Sequence, residues 1–364
     1  MTSGAGPQPD ASVGPDVTVV TVTYDAADLV LTCLDSLAGQ QLDGLRMEVV
    51  VVDNASSDGT ADLVASRRPD VTLIRAGANL GFAGGNNLAL RTVRSRYAIL
   101  LNNDATARPE AVAALVRAMD AADPSVAAMA ATVLLAEPFR PATEDDASSV
   151  GGPDGRWVAD PDGTDHLVNS TGNEMRTDGF GMDRGWLADA RHHHPPRGVF
   201  GVSGAAAILR MSALHEVGLF DERFFMYYED TDLSWRLRLA GYRVEHCPGA
   251  IVDHVHAASS GEGSEFFRFH DARNRLALLT KCGSGRLVAR CLTRFVVTTA
   301  SIALRRRQPG WVVRTRLRAL RSWAAMLPHL LRERRAIGRS ARVARREVER
   351  LLVPPGAPSG GYRA

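Results

Sequence analysis

Three acids crowd into one short stretch, FFMYYEDTDLSWRLRLAGY at 224–242, where Glu229, Asp230 and Asp232 stand between an aromatic cluster and a helix-like run. A helix start needs only one of them. A carboxylate positioned here could deprotonate a hydroxyl nucleophile, which contributes a factor of about 10²–10⁴ when geometry is right. A like charge raises its neighbour's pKa, so Glu229 is expected to make Asp230 the better base, with Asp232 left to cap the helix. Two more acids end apolar runs: Asp53 closes MEVVVVD, and Asp104 closes YAILLNND. Asp53 could cap the helix that follows or accept the N3–H of a pyrimidine base. Asp104 could hold a hard divalent cation that bridges phosphates, given a further ligand. His254 and His256, which share a strand face by period two, are candidates for that ligand, beside the plainer role of core histidines. NLGFAGGNN at 79–87 fits neither GxGxxG nor a P-loop, but its glycines would let backbone approach a ribose or phosphate.

The elements around these residues alternate. VTVVTVTY (17–24), MEVVVVD (47–53), VTLIR (71–75) and YAILLNND (97–104) have the β-branched or apolar texture of buried strands. Helical periodicity follows each: after the first through Leu29, Leu31, Leu34 and Leu37, after the second behind the caps Ser56, Ser57 and Asp58, then over 79–90 and 108–120. This predicts an α/β fold with a mixed, mostly parallel sheet and helices on both faces. In such sheets ligands bind beyond the strand C-terminal ends, where Thr23-Tyr24-Asp25, Asp53-Asn54 and Asn102-Asn103-Asp104 gather. Residues 136–200 are a loop-rich insert, whose His192-His193-His194 run, before two prolines, is expected to be a solvated loop. Strand–helix order resumes at 201.

The chain has 364 residues, 45% of them hydrophobic and 23% charged, an ordinary globular composition. Four scattered cysteines without a CxxC pair argue against a disulfide framework or structural zinc and fit a reducing cytosol. The Gly/Pro-rich start has no signal-peptide pattern, and no uninterrupted apolar run reaches the roughly 18 residues of a spanning helix, so no integral membrane segment is expected. The net charge of +2 conceals an asymmetry: residues 286–350 hold 18 Arg against Glu333, Glu347 and Glu349, a surplus of +15 that leaves −13 on the rest. A basic amphipathic segment of this kind suits an anionic membrane surface or a helical hairpin with snorkelling arginines. Nucleic acid ranks last, because aromatic residues are few and no recognised module is present.

Taken in order, VTVVTVTYD, VVVDNASSDGT, NLGFAGGNN, LLNNDA, GVSGAAAILRMSALHEVGLFDERFF, YYEDTDLSWRLRLAGY, HVHAASS and Arg273-Asn274-Arg275 closely resemble the family 2 glycosyltransferases of the GT-A fold, above all their rhamnosyltransferase-like subgroup. The resemblance covers about 17–282. It implies a nucleotide-sugar site made by Thr23, Tyr24, Asp25, Asp53, Asn54, Gly81, Phe82, Gly84, Asn86, Asn87 and Asn103, with Arg273 and Asn274 by the diphosphate. It also implies a divalent metal, Mg²⁺ or Mn²⁺, on Asp104 and His254, with the first acid of the family's DxD motif replaced by Asn102. Asp230 of the Glu229–Asp230 pair becomes the general base of an inverting transfer, from dTDP-rhamnose to a lipid-linked or cell-surface glycan.

The expected organisation is a disordered leader (1–15), a GT-A domain (16–284, its nucleotide half 16–120 and its acceptor half 121–284), an Arg-rich helical extension (285–352) and a disordered tail (353–364). The expected place is the cytoplasm, peripheral at the inner face of the plasma membrane, with homo-oligomerisation left open. A sugar nucleotidyltransferase shares the fold and metal but normally carries a Gly-rich, Arg/Lys-bearing loop after the first strand, which TYDAADLV lacks. A non-catalytic scaffold of a polysaccharide assembly complex is the alternative from another class.

Overall fold

The computed structural model describes residues 14–255, 263–306 and 308–356. The expected 1–15 leader therefore lies almost wholly outside the described residues, as do His256 and the last eight residues of the expected tail. In chain order the elements are β1 (Val17–Thr23), α1 (Ala27–Ala38), β2 (Met47–Asp53), α2 (Thr60–Arg67), β3 (Thr72–Arg75), α3 (Gly81–Leu90), β4 (Tyr97–Leu101), β5 (Ala105–Ala107), α4 (Ala111–Ala121) and β6 (Val126–Leu135). The insert contributes β7 (Phe139–Pro141), β8 (Val150–Gly152), β9 (Gly155–Ala159), β10 (Val168–Ser170), β11 (Asn173–Met175) and β12 (Gly181–Asp183). Then come β13 (Ala206–Arg210), α5 (Met211–Val217), α6 (Glu229–Leu239), β14 (Arg243–His254), α7 (Glu265–Cys282), α8 (Gly285–Arg305) and α9 (Gly310–Ser340).

The main sheet runs β3-β2-β1-β4-β13-β6-β14-β5, with β10 beside β6. Its first four strands are parallel; β13 is antiparallel to β4 and β6, and β14 pairs parallel with β6. Successive strand residues point to opposite faces, and here both faces are buried. Val17, Val19, Val49, Val51, Ile99 and Leu101 pack with α1, α2 and α4. The alternate positions Val20, Val50, Val52 and Leu100 pack with α3, α5 and α6. That two-sided burial is why these strands are continuous apolar runs rather than alternating ones.

The insert is ordered. β7, β9 and β8 form a small separate sheet over Trp157, Phe139, Leu167 and Leu187. Its histidine run is a loop with His192 and His194 exposed, as expected; only His193 is half-buried, against Gly185 and 3.1 Å from Thr171 Oγ1, and among the described residues no cluster of three metal-binding side chains forms. The four cysteines are free and buried.

The extension packs on α6 and α7 rather than trailing away. Leu330 and Ala319 of α9 are fully buried, and Trp323 donates to Thr280 Oγ1 at 3.1 Å. Arg334 caps the end of α7 through the carbonyls of Thr280 and Gly283. Val353, in the expected tail, bridges Arg176 and exchanges backbone hydrogen bonds with Met175 and Thr177. One helix, α8, is long and apolar enough to cross a membrane by length and composition alone, and it lays one face, Leu287, Cys291, Phe295 and Thr299, against the protein.

Candidate active site

The C-terminal ends of β1 and β2 place Thr23 and Asp53 as register partners. Asp53 is 3% exposed; Oδ2 accepts from the Ser56 N–H at 3.2 Å, while Oδ1 is buried with no partner. The local turn explains one oxygen, and the other is an unsatisfied acceptor. A buried acceptor without a donor is costly, and a base N–H would satisfy it. Tyr24 stands exposed beside it, and Asp25, at φ 45°, accepts from Ser57 N at 2.7 Å, tying the two strand ends together. Asn54 donates to Gly81 O at 3.0 Å and fixes the turn into α3.

That turn packs very closely. At Gly81, φ is +67° and a Cβ would lie 2.4 Å from Phe225 O; at Gly84 a Cβ would lie 2.7 Å from Leu80 Cβ. The glycines therefore serve helix and loop packing. Phe82 stands edge-on to Phe220 and lies beside Gly204. Asn86 and Asn87 correct the sequence reading: both are buried, Asn86 donates to Phe82 O, and Asn87 spends both ends of its amide on Phe220 and Glu222. Asn87 holds α3 to the 220–222 turn and has no amide group left over for a ribose, whereas the Asn86 bond lies within α3.

The turn between β4 and β5 carries Asn103, whose Nδ2 reaches Thr23 Oγ1 at 3.2 Å, and Asp104, 8% exposed. His254, at the end of β14, lies with Nε2 3.0 Å from Asp104 Oδ1. Its Nδ1 is 2.7 Å from Asn169 Oδ1, and a carboxamide oxygen only accepts, so Nδ1 carries the hydrogen. Nε2 then presents a lone pair, which the Asn102 amide also meets at 3.4 Å. Two acceptors facing each other at 3.0 Å need a cation between or beside them, and the pair fits a divalent metal whose remaining ligands are phosphate oxygens. Asn102, which replaces an acid here, sits next to the histidine and not among its carboxylate partners. A cavity of about 470 Å³, walled by Trp157, Trp186 and Leu187 of the insert, opens beside His254.

Asp230 lies at the first turn of α6, across the 204–205 turn from β4. Its Oδ2 accepts from Gly204 N (3.0 Å) and Asn173 Nδ2 (2.9 Å), and its Oδ1 from Thr231 N (2.6 Å) and Thr231 Oγ1 (3.0 Å). Burial raises its pKa, and these four donors oppose the rise. Glu229 and Asp230 repel one another. Glu229 is 5% exposed, and burial, then the charges of Asp230 and Asp232, push its pKa well above the usual range.

Asp232 is not a cap. Tyr228, in the left-handed region, occupies the cap position without a side-chain bond. Asp232 is fully buried, on Arg236 Nε at 2.8 Å and on Lys281 Nζ at 2.9 Å. Lys281, the chain's single lysine, is 1% exposed and also holds Asp221 at 2.8 Å. This buried chain of charges clamps α6 to α7 and the 221 turn.

Between them, the loop before α6 is strained. Phe225, Tyr227 and Tyr228 have φ of 66°, 72° and 69°, a conformation that costs non-glycine residues energy and clusters at functional sites. Asn274 holds it: fully buried, it donates to the carbonyls of Phe224, Met226 and Tyr227 at 2.8–2.9 Å. Arg273 binds Asn274 Oδ1 and the carbonyls of Arg223 and Phe224. Expected beside the diphosphate, this pair instead shapes the loop that delivers Asp230. Sequence reasoning missed Asn169, Asn173 and Gly204; the only signal was the polar VNSTGN run inside an insert otherwise dismissed as loop.

This fold, with its rim of acids, has counterparts among known proteins. Residues 18–148 match the glycosyl transferase family 2 model and residues 178–307 match glycosyl transferase family group 2. The N-acetylglucosaminyl-diphospho-decaprenol L-rhamnosyltransferase of Mycobacterium tuberculosis is 30% identical over 257 residues, which cover 67% of this chain and 77% of that protein. The succinoglycan biosynthesis protein ExoO of Rhizobium meliloti is 37% identical over 114 residues, 31% of this chain; the match spans only 32% of that protein's length. Among solved structures, GalNAc-T7, crystallised with UDP, GalNAc and Mn²⁺, superposes with a TM-score of 0.52 at 13% identity, over 85% of this chain and 55% of that one, a likeness of fold. The chain belongs to the family 2 glycosyltransferases.

Proposed function

We propose that the chain transfers a sugar, rhamnose from dTDP-rhamnose, to a lipid-linked or cell-surface glycan with inversion, Asp230 acting as general base. The observation that carries this is Asp230 itself: a half-buried carboxylate with a raised pKa, held by four donors at the rim that also bears Asp53 and the Asp104–His254 pair. All its in-plane lone-pair positions are engaged, so an acceptor hydroxyl replaces one side-chain donor, Asn173 Nδ2 or Thr231 Oγ1, as it hands over its proton. Asp53 takes the base N–H on Oδ1, with Tyr24 and Thr23 at its side. Asp104 and His254 hold Mg²⁺ or Mn²⁺, which when bound supplies charge neutralisation for the diphosphate leaving group. The name of the mycobacterial relative supports rhamnose and a lipid-linked acceptor.

The extension is read as a membrane-facing surface at the cytoplasmic side. α8 buries one face and exposes Val296, Val297 and Leu304 on another, amid a segment with a surplus of +15. That suits a helix lying in the interface, where each basic residue contributes about 1 kcal/mol near anionic lipid. Because α9 contributes core residues, deleting 286–350 would unfold the protein, and Val297→Asp is the cleaner probe of vesicle binding.

The test of the donor assignment is thermal stability with a panel of dTDP-, UDP- and GDP-sugars, each with and without Mn²⁺ or Mg²⁺. A donor at about 100 times its Kd adds roughly 2.7 kcal/mol. Metal-dependent stabilisation by dTDP-rhamnose above the others is expected; preference for another nucleotide sugar would replace the donor, and silence across the panel would favour the scaffold reading.

A further inference from the structure

A second cavity, of about 420 Å³, lies between α7, α8 and α9, away from the Asp104–His254 pair. Its floor includes Leu276, Phe295 and Val312, and four arginines, Arg268, Arg275, Arg294 and Arg316, line it with two acids, Asp178 and Asp271. Arg275 is the telling one. It is 6% exposed, yet among the described residues it makes no hydrogen bond and no ion pair; its guanidinium lies 3.5 Å over the Phe180 ring. A guanidinium withdrawn from water without hydrogen-bond partners is unfavourable. Arg316 bonds only to neutral oxygens, of Thr299, Thr298 and the Phe295 carbonyl, and burial lowers its pKa to about 10.

The acids nearby answer this charge only in part. Asp178 is shared between Arg176 at 2.7 Å and Arg294 at 3.3 Å. Asp271 is the one carboxylate left for the other guanidinium groups; burial raises its pKa, and the charge of Arg275, the Tyr228 hydroxyl and the charges of Arg316 and Arg268 oppose the rise. A surplus of guanidinium charge above an apolar floor matches a phosphate on one side and a hydrocarbon on the other.

We propose that this cavity binds an amphiphile with a phosphate head and a hydrocarbon chain, the phosphate on Arg275 and Arg316 and the chain along Leu276, Phe295 and Val312. Through Asp271 and Tyr228 its occupant adjoins the loop that carries Asp230, so a bound lipid phosphate would be sensed next to the base. The proposal rests on the membrane reading above for the ligand's source, but not for its chemistry.

The experiment is isothermal titration of the full chain with three probes: monomeric dodecyl phosphate, dodecyl maltoside as chain alone, and inorganic phosphate as head alone. Dodecyl phosphate is expected to saturate, with both controls about tenfold weaker or more. Arg275→Gln is expected to weaken dodecyl phosphate about 10–100-fold while leaving the melting temperature unchanged or higher, since it removes an unpaired cation. Equal binding of dodecyl maltoside, or of inorganic phosphate, overturns the proposal without any variant. So does an Arg275→Gln protein that binds normally and melts lower, which makes the arginine structural. Dodecyl phosphate binding without affinity for phosphatidylglycerol vesicles supports the site and refutes the membrane reading instead.

Discussion

His254 Nε2 and Asp104 Oδ1 lie 3.0 Å apart, and with Nδ1 committed to Asn169 both are acceptors. The contact is attractive only with a proton or a metal ion present. Asp104→Asn is therefore expected to abolish the metal dependence of nucleotide diphosphate binding, leaving a weak metal-independent remainder. Asn169→Ala, which frees the imidazole to turn, is expected to weaken metal binding about 10–100-fold without touching the ligand itself. Calorimetry of donor binding against Mn²⁺ concentration measures both, and normal metal affinity in Asn169→Ala would remove its orienting role.

Asp230→Asn preserves shape and removes the base. Transfer is expected to fall by about 10²–10⁴, with donor affinity within error of the parent. A variant that still transfers at the parent rate would send the search for the base elsewhere on the rim.

Glu229 titrates late, and the sign of its effect follows. Its folded pKa lies well above the ordinary 4.5, so between those two values the folded state keeps a proton that the unfolded state has released. Stability then falls as pH rises through that window, by about 1.4 kcal/mol per unit. Glu229→Gln removes the proton linkage, so the variant should gain on the parent progressively as pH rises above 4.5. Urea midpoints at several pH values report this; a constant gap between the two proteins would mean Glu229 ionises normally.

Lys281 bridges Asp221 and Asp232 with 1% of its surface exposed. Lys281→Met leaves two buried carboxylates short of a cation and is expected to cost about 3–5 kcal/mol of stability. Chemical denaturation measures it, and a loss under about 1 kcal/mol would mean that Arg236 and His329 suffice.

Asn274→Ala deprives the strained 224–227 turn of three donors. With Asp230 displaced from its working position, kcat is expected to drop about 10–100-fold while donor binding persists. Equal loss of donor affinity would instead put Asn274 at the diphosphate, where the family resemblance had it.

Much of this molecule was legible beforehand because its information is local. The apolar runs at 17–23, 47–53 and 97–101 are continuous since both sheet faces are buried, and continuity alone marks such strands. Asp53, Asp104 and Asp230 stand out because an acid ending an apolar run, or opening a helix, is visible as a break in pattern. What the sequence by itself determined was the order of strands and helices, the acids at their ends and the basic charge of the extension.

Tertiary structure decided the rest, because the deciding contacts join residues far apart in the chain. Asn87 and Asn274 look like polar site residues, but a carboxamide buried against carbonyls is spent there, and burial is a property of the assembled fold. Asp232 looks like a cap until Lys281, 49 residues on, is placed against it. Glu229 and Asp230 are neighbours in sequence, but it is Asp230 that meets Gly204 and Asn173, whose donors favour its charge.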